Sequence, residues 1–205
     1  GKEARGNALV TTKVERVIAA IRHEEADKVP KGEPEIEPIV QQRLLGEDYL
    51  PGEDLQTEAA NLRRTLEMLH TDTLSIERDL RPANLLLDID EHGNRLYREA
   101  WGAEWWLAPM GGAKHLHKPL FQEPKQIYDY QFPFVEDFST ERLEKWTEET
   151  DYFVFATVIP LVGLAYTRWG FESFMTWTVT NPKEVAYWYE QLCQLNIALA
   201  KRSVE

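Results

Sequence analysis

"DYFVFATVIP", Asp151 to Pro160, is the stretch that decides how the rest of the chain is read. It is dense in aromatic and β-branched residues and apolar on both faces, the pattern of a strand covered on both sides inside an α/β sheet. We therefore expect it to be fully buried. Just before it, "STERLEKWTEET" (Ser139 to Thr150) reads as a helix that leads into it. Just after it, "LVGLAYTRWGFESFMTWTVTN" contains one helical segment. A further helix starts at Asn181 as cap, with Pro182 at its first position and Glu184 placed for a capping box. Its expected buried stripe is Val185, Trp188, Tyr189, Leu192, Leu195 and Leu199, with Cys193 on that stripe or next to it as a small hydrophobe.

The same alternation runs through the first half. Val14, Val17, Ile18 and Ile21 recur at helical steps, and Asp27 to Pro30 ends that helix. A short strand is expected around Glu33 to Ile36, followed by a helix with Pro38 at its start and Gly46 at its end. A helix over Leu55 to Leu69 leads into "TDTLSIE" (Thr71 to Glu77), a strand. "LLLDIDEHGNRLYREAWGAEWW" (Leu85 to Trp106) reads as a hairpin turning at His92-Gly93-Asn94. From Met110 to Pro133 there is little period, and the stretch reads as a long loop.

Composition narrows the classes of function. Lys and Arg number 23 against 35 Asp and Glu, a net charge of −12, which repels phosphate backbones and anionic membranes, so no nucleic-acid or membrane partner is expected. One cysteine leaves no intramolecular disulfide, and no cationic stretch precedes an apolar run as a secretory signal would require, so a cytoplasmic protein is expected. Residues 152–171 hold Pro160, two glycines and Arg168, a poor membrane span.

Helix and strand in alternation imply parallel strands with helical crossovers, and the architecture that admits a hairpin excursion and long loops after its strands is the (β/α) barrel. A closed barrel takes roughly 250 residues, so the expected fold is α/β, the N-terminal part of a (β/α)8 TIM barrel. The 205 residues read as one domain with about half the strands.

Four ordered segments resemble the uroporphyrinogen decarboxylase superfamily. "ERVIAAIRHEEADKVP" (Glu15 to Pro30) is similar to its opening helix and Val-Pro turn, and "YREAWGAEWW" (Tyr97 to Trp106) to its Trp-Gly hairpin. "HLHKPLFQEPKQIYDYQFP" (His115 to Pro133) resembles its His-Pro-Leu segment. "GFESFMTWTVTNPKEVAYWYEQL" (Gly170 to Leu192) resembles its Gly-Phe-Glu stretch and the helix after it. The order and spacing place this chain on the N-terminal half of the family's barrel. Decarboxylases of the family carry arginines after the Val-Pro turn to hold substrate carboxylates, where this chain has "KGEPEIEPIV", with Glu33, Glu35 and Glu37 of the opposite charge. The Gly-Glu pair resembles the methyltransferase branch instead, which implies corrinoid-dependent methyl transfer in one-carbon metabolism, the alternative implied by the family being decarboxylation of uroporphyrinogen in tetrapyrrole synthesis. The partners so implied are a corrinoid protein, or a small-molecule methyl donor or thiol acceptor. That branch holds zinc through a His-x-Cys pair and a later Cys in its C-terminal half, so zinc and a corrinoid are implied for a full-length enzyme, whereas this chain contains no His-x-Cys.

Candidate site residues follow from strand ends. Glu33 and Glu35, two apart on an extended segment, are expected on one side at the barrel mouth, the alternative being a solvated turn. Glu77 and Arg78 end the second strand, as working residues or as a surface ion pair. Thr157 reaches the mouth as a hydrogen-bond donor or satisfies backbone. His115 and His117 have a spacing that fits a metal but read as loop residues. The seven tryptophans, with Trp101, Trp105 and Trp106 clustered, admit a third reading. In it a half-barrel subunit associates with itself or with a missing half to cover its apolar edges.

Overall fold

The computed structural model describes residues 12–33, 35–52, 54–81, 84–109 and 114–203. Thr12 and Glu15 exchange side-chain and backbone bonds to cap α1 (Lys13–Ile21). The first strand, β1 (Gly32–Glu33), is shorter than the expected Glu33 to Ile36, and Pro34, which has no N–H for a ladder, follows it directly. Helix α2 (Pro38–Leu45) ends at Gly46, φ +56°. Asp54 caps α3 (Leu55–Leu69) by accepting from the N–H groups of Gln56 and Thr57, and α3 leads into β2 (Thr73–Ile76).

The excursion after β2 is larger than a hairpin. It comprises β3 (Asp79–Leu80), β4 (Leu85–Ile89), β5 (Arg95–Arg98), β6 (Glu104–Leu107), β7 (Lys114–Lys118) and β8 (Phe138–Ser139). The stretch expected as a loop from Met110 to Pro133 thus holds a strand and a 3-10 turn, Pro124–Asp129, while residues 110–113 lie outside the described residues. Then come α4 (Glu141–Glu149), β9 (Phe153–Ala156), α5 (Leu161–Trp169), α6 (Phe171–Thr180) and α7 (Pro182–Arg202). The single helix expected after β9 is two, broken where Gly170 takes φ +85°. The capping box expected at Asn181 does not form, because its Oδ1 accepts from the Thr180 hydroxyl (2.7 Å) instead.

The chain divides into two compact units, Gly1–Glu77 with Glu141–Ala156, and Arg78–Thr140 with Thr157–Glu205. In the first, β1, β2 and β9 form a parallel sheet in that order, Gly32 opposite Thr73 and Thr73 opposite Phe153. Leu66 of α3, Leu74 and Ile76 of β2, Trp146 of α4 and Tyr152 fill its core. Among the described residues β9 pairs with β2 alone, and Phe155 stays 44% exposed, which corrects the expectation of full burial.

In the second unit β4-β5-β6-β7 is an antiparallel meander, and β3 pairs with β8. Its first turn is held by Asp90, whose carboxylate accepts from the N–H of His92 (2.9 Å) and of Asn94 (2.8 Å) around Gly93 at φ +78°. The core is aromatic: Phe121, Trp169, Phe174, Trp177 and Trp188 pack with Leu164, Val185 and Leu192. The α7 stripe matches expectation at Val185, Trp188, Leu192, Leu195 and Leu199, with Tyr189 and Cys193 half-buried beside it. Among the described residues the class is mixed α/β and the strands close no barrel. No helix among them is long and apolar enough to cross a membrane.

Candidate functional site

In a parallel α/β sheet the ends where strands finish are the natural place for chemistry. Glu33 finishes β1 opposite Leu74, and Glu77 follows the last residue of β2 three positions further along, so the first unit carries two exposed carboxylates past the ends of adjacent strands but staggered along them. Glu35 is exposed outside β1, so the alternation that was to align it with Glu33 does not extend that far. Gly32 has a structural reason of its own. A Cβ there would lie 1.9 Å from the Thr73 Oγ1, so β1 approaches β2 this closely only with glycine.

The opposite end of that sheet holds a buried charged network. Arg16, 6% exposed, forms a two-pronged pair with Asp27 (2.7 and 2.9 Å) and a bond to Asp72, itself 1% exposed. Hydrogen bonding to Asp27, with Asp72 adding its charge, pushes the guanidinium above its ordinary pKa. Asp72 accepts from the Lys31 N–H (2.8 Å), its own N–H donates to the Lys31 carbonyl (2.7 Å), and its carbonyl accepts from the Phe153 N–H (3.0 Å). One buried residue, through its carboxylate and its own backbone, thus ties together the segments entering β1, β2 and β9. Here the segment "ERVIAAIRHEEADKVP" does fold work. A shallow depression of about 380 Å³ lies beside it, lined by Pro30, Lys31, Gly32, Glu33, Leu69 and Thr71.

Arg78 and Thr157 meet in the second unit, through backbone. The Arg78 guanidinium donates to the Thr157 carbonyl (2.8 Å) and the Leu199 carbonyl (3.4 Å). Burial, with Arg202 nearby, pushes its pKa down. The Asn196 amide of α7 holds both the N–H (2.8 Å) and the carbonyl (2.9 Å) of Ile159. Arg78 and Asn196 therefore position the segment that follows β9.

His115 and His117 sit on β7 rather than in the expected loop. The edge strand alternates, so both face the side of Trp106, which pairs with His115 and meets the His117 ring edge-on at 6.1 Å. Trp106, His115, Asp90, Asn94 and Ala108 line a second shallow depression of about 320 Å³. The next strand residues down the same face are Arg98 and Glu104, 2.8 Å apart.

Sequence reading missed Arg16, Asp27 and Asp72, and likewise Glu99 and Arg168, which pair at 2.8 Å beside the aromatic core. The available signal was a charge inside an otherwise apolar motif, since a charge kept there needs a partner. The Tyr130 hydroxyl donates to the Trp101 carbonyl (2.9 Å), and the rings of Phe121 and Tyr130 lie 5.5 and 5.6 Å from that of Trp188, so residues 97–106, 115–133 and 170–192 converge on one another. Burial, with Glu99 adding to it, pushes the Tyr130 hydroxyl well above its usual pKa.

A zinc-activated thiol needs three protein ligands. Among the described residues no group of three or more His, Cys, Asp or Glu side chains is placed to hold a metal, so the described residues do not fit the zinc implied by the resemblance. Comparison of the chain with protein-family models, with curated proteins and with solved structures returns no match.

Proposed function

We propose that this chain is the N-terminal part of a uroporphyrinogen decarboxylase-like (β/α)8 barrel whose activity is corrinoid-dependent methyl transfer. The donor-acceptor pair is methylcobamide and a thiol, or a methyl donor and a corrinoid protein, in the cytoplasm. The observation that carries this reading is the charge at the strand ends. Glu33 and Glu77 present exposed carboxylates there, and Arg78, the cation next in sequence, is committed to backbone carbonyls. A polycarboxylate substrate would meet repulsion where it needs paired guanidinium groups. Support for the scaffold comes from three parallel strands in sequence order with α2 and α3 between β1 and β2, and with an antiparallel excursion between β2 and β9.

The roles of this chain's residues are then positional. Asp72 fixes where the strands start, Gly32 lets β1 lie against β2, and Glu33 and Glu77 hold negative potential past the ends of β1 and β2. The test is a paired assay on the full-length native protein: demethylation of methylcobalamin with a thiol and zinc, and turnover of uroporphyrinogen. Thioether formation with no decarboxylation is expected. Uroporphyrinogen turnover, or no thiol methylation at all, would overturn the proposal.

A further inference from the structure

The chain has five histidines, and two of them stand together. His23 follows α1, His70 closes α3 and His92 lies in a turn, each the only histidine of its segment. His115 and His117 lie on β7, the edge strand of the meander, which pairs with β6 alone among the described residues. Both are exposed, and among the described residues neither imidazole is hydrogen-bonded. The pairing register sets where they point. His115 is opposite Trp106, Leu116 opposite Trp105 and Lys118 opposite Glu104, so His117 is the extra residue of a bulge, with no partner on β6. Its ring still meets the Trp106 ring edge-on at 6.1 Å, on the face to which His115 belongs. Trp106 is thus flanked by both imidazoles.

The charged groups around them are engaged elsewhere. Asp90, which lines the depression beside His115, accepts from the N–H groups of His92 and Asn94 and from the Asn94 amide (2.7 Å). Glu104 holds Arg98 at 2.8 Å. Lys114 lies over the Trp105 ring, 4.4 Å from its centroid, and so turns to the other face of the sheet. The imidazole nitrogens are left as donors open to solvent.

We propose that His115 and His117 chelate a single copper(II) ion beside the Trp106 ring. Alternate residues of a strand lie about 6–7 Å apart, a span that two imidazoles leaning toward each other close with metal–nitrogen bonds of about 2 Å. The donor type chooses the ion. Magnesium and calcium are hard cations that take oxygen ligands, whereas copper(II) stands highest among the divalent first-row ions and favours a tetragonal arrangement of nitrogen and oxygen donors. Two adjacent positions of that arrangement go to the strand, and water or a small chelating ligand completes it. A cation also has the sign that a chain of net charge −12 attracts. The site is separate from the zinc implied by the family resemblance, which needs a His-x-Cys pair that this chain lacks, and it stands or falls apart from the methyl-transfer reading.

The experiment is isothermal titration of the 205-residue chain with copper(II) chloride, with nickel(II) and magnesium chlorides run alongside. One tight copper site, weaker nickel binding and no magnesium binding are expected. His115→Asn and His117→Asn should each weaken copper binding at least about tenfold, because a single imidazole forfeits the chelate, and His92→Asn should leave it unchanged. Electron paramagnetic resonance of the copper complex should show nitrogen couplings that diminish in either β7 variant. Both side chains are exposed, so far-UV circular dichroism of the variants should match the wild type. Copper binding that survives either β7 variant overturns the proposal. So does magnesium binding of equal strength, or a loss in His92→Asn as large as in the β7 variants, either of which would mark an adventitious ion only.

Discussion

Gly32 and Thr73 show what a single contact decides. Adding a methyl group at Gly32 puts a Cβ 1.9 Å from the Thr73 Oγ1, so β1 or a side chain stiff at χ1 must shift. Gly32→Ala is expected to destabilise the protein by about 1–3 kcal/mol in urea unfolding. Gly32→Ala with Thr73→Ala should recover much of that loss, since residues in contact do not add; a double mutant no better than the single one would refute the contact. Glu104 supplies a pH dependence. A hydrogen bond from Arg98, helped by Lys118, Arg98 and His117 charges and opposed by burial, holds its carboxyl below the ordinary 4.5. A lowered folded-state pKa stabilises above the unfolded value and loses that contribution as pH falls through the folded one. Urea midpoints from about pH 7 down to about pH 3 should fall less steeply for Glu104→Gln than for wild type. At this scale the sequence was least legible. Arg16, Asp27 and Asp72 are separated by 11 and 56 positions, and only the packing of α1 against the strand starts reveals that they are one network.

Elements were read better, and their misreadings share a cause. The helices over Leu55–Leu69 and Pro182–Arg202 were legible because fifteen and twenty-one residues keep one period, the second also with proline at its first position. The break at Gly170 was not, since an apolar segment on both sides carries no period to interrupt. Strand β7 was hidden because "KHLHK" lacks β-branched residues and owes its conformation to pairing with β6. The end of α3 carries a prediction of its own. His70 closes it at φ +54°, in the left-handed region where a side chain is strained and glycine is not. His70→Gly should therefore raise stability, by about 0.5–1 kcal/mol. A thermal midpoint lowered by that change would show that the imidazole makes a contact worth more than the strain.

For the whole molecule the parallel order β1-β2-β9 was foreshadowed by helix and strand in alternation, whereas the size of the excursion between β2 and β9 was not, because antiparallel pairing over short strands leaves weak marks in sequence. That excursion has a neck. Asp79 faces Ser139, Leu80 faces Phe138, and the Arg81 N–H adds a bond to the Asp137 carbonyl (2.8 Å). The consequence is kinetic. Strand β9 must find β2 across everything between residues 76 and 153, and bringing such distant segments together costs entropy that no contact has yet repaid. Once the neck is zipped, residues 81–137 no longer count as open chain, and the search for β9 shrinks to the few links on either side. Closing that two-residue clasp first is therefore expected to speed the pairing of β9 with β2, and Phe138, 4% exposed, is the side chain buried at it.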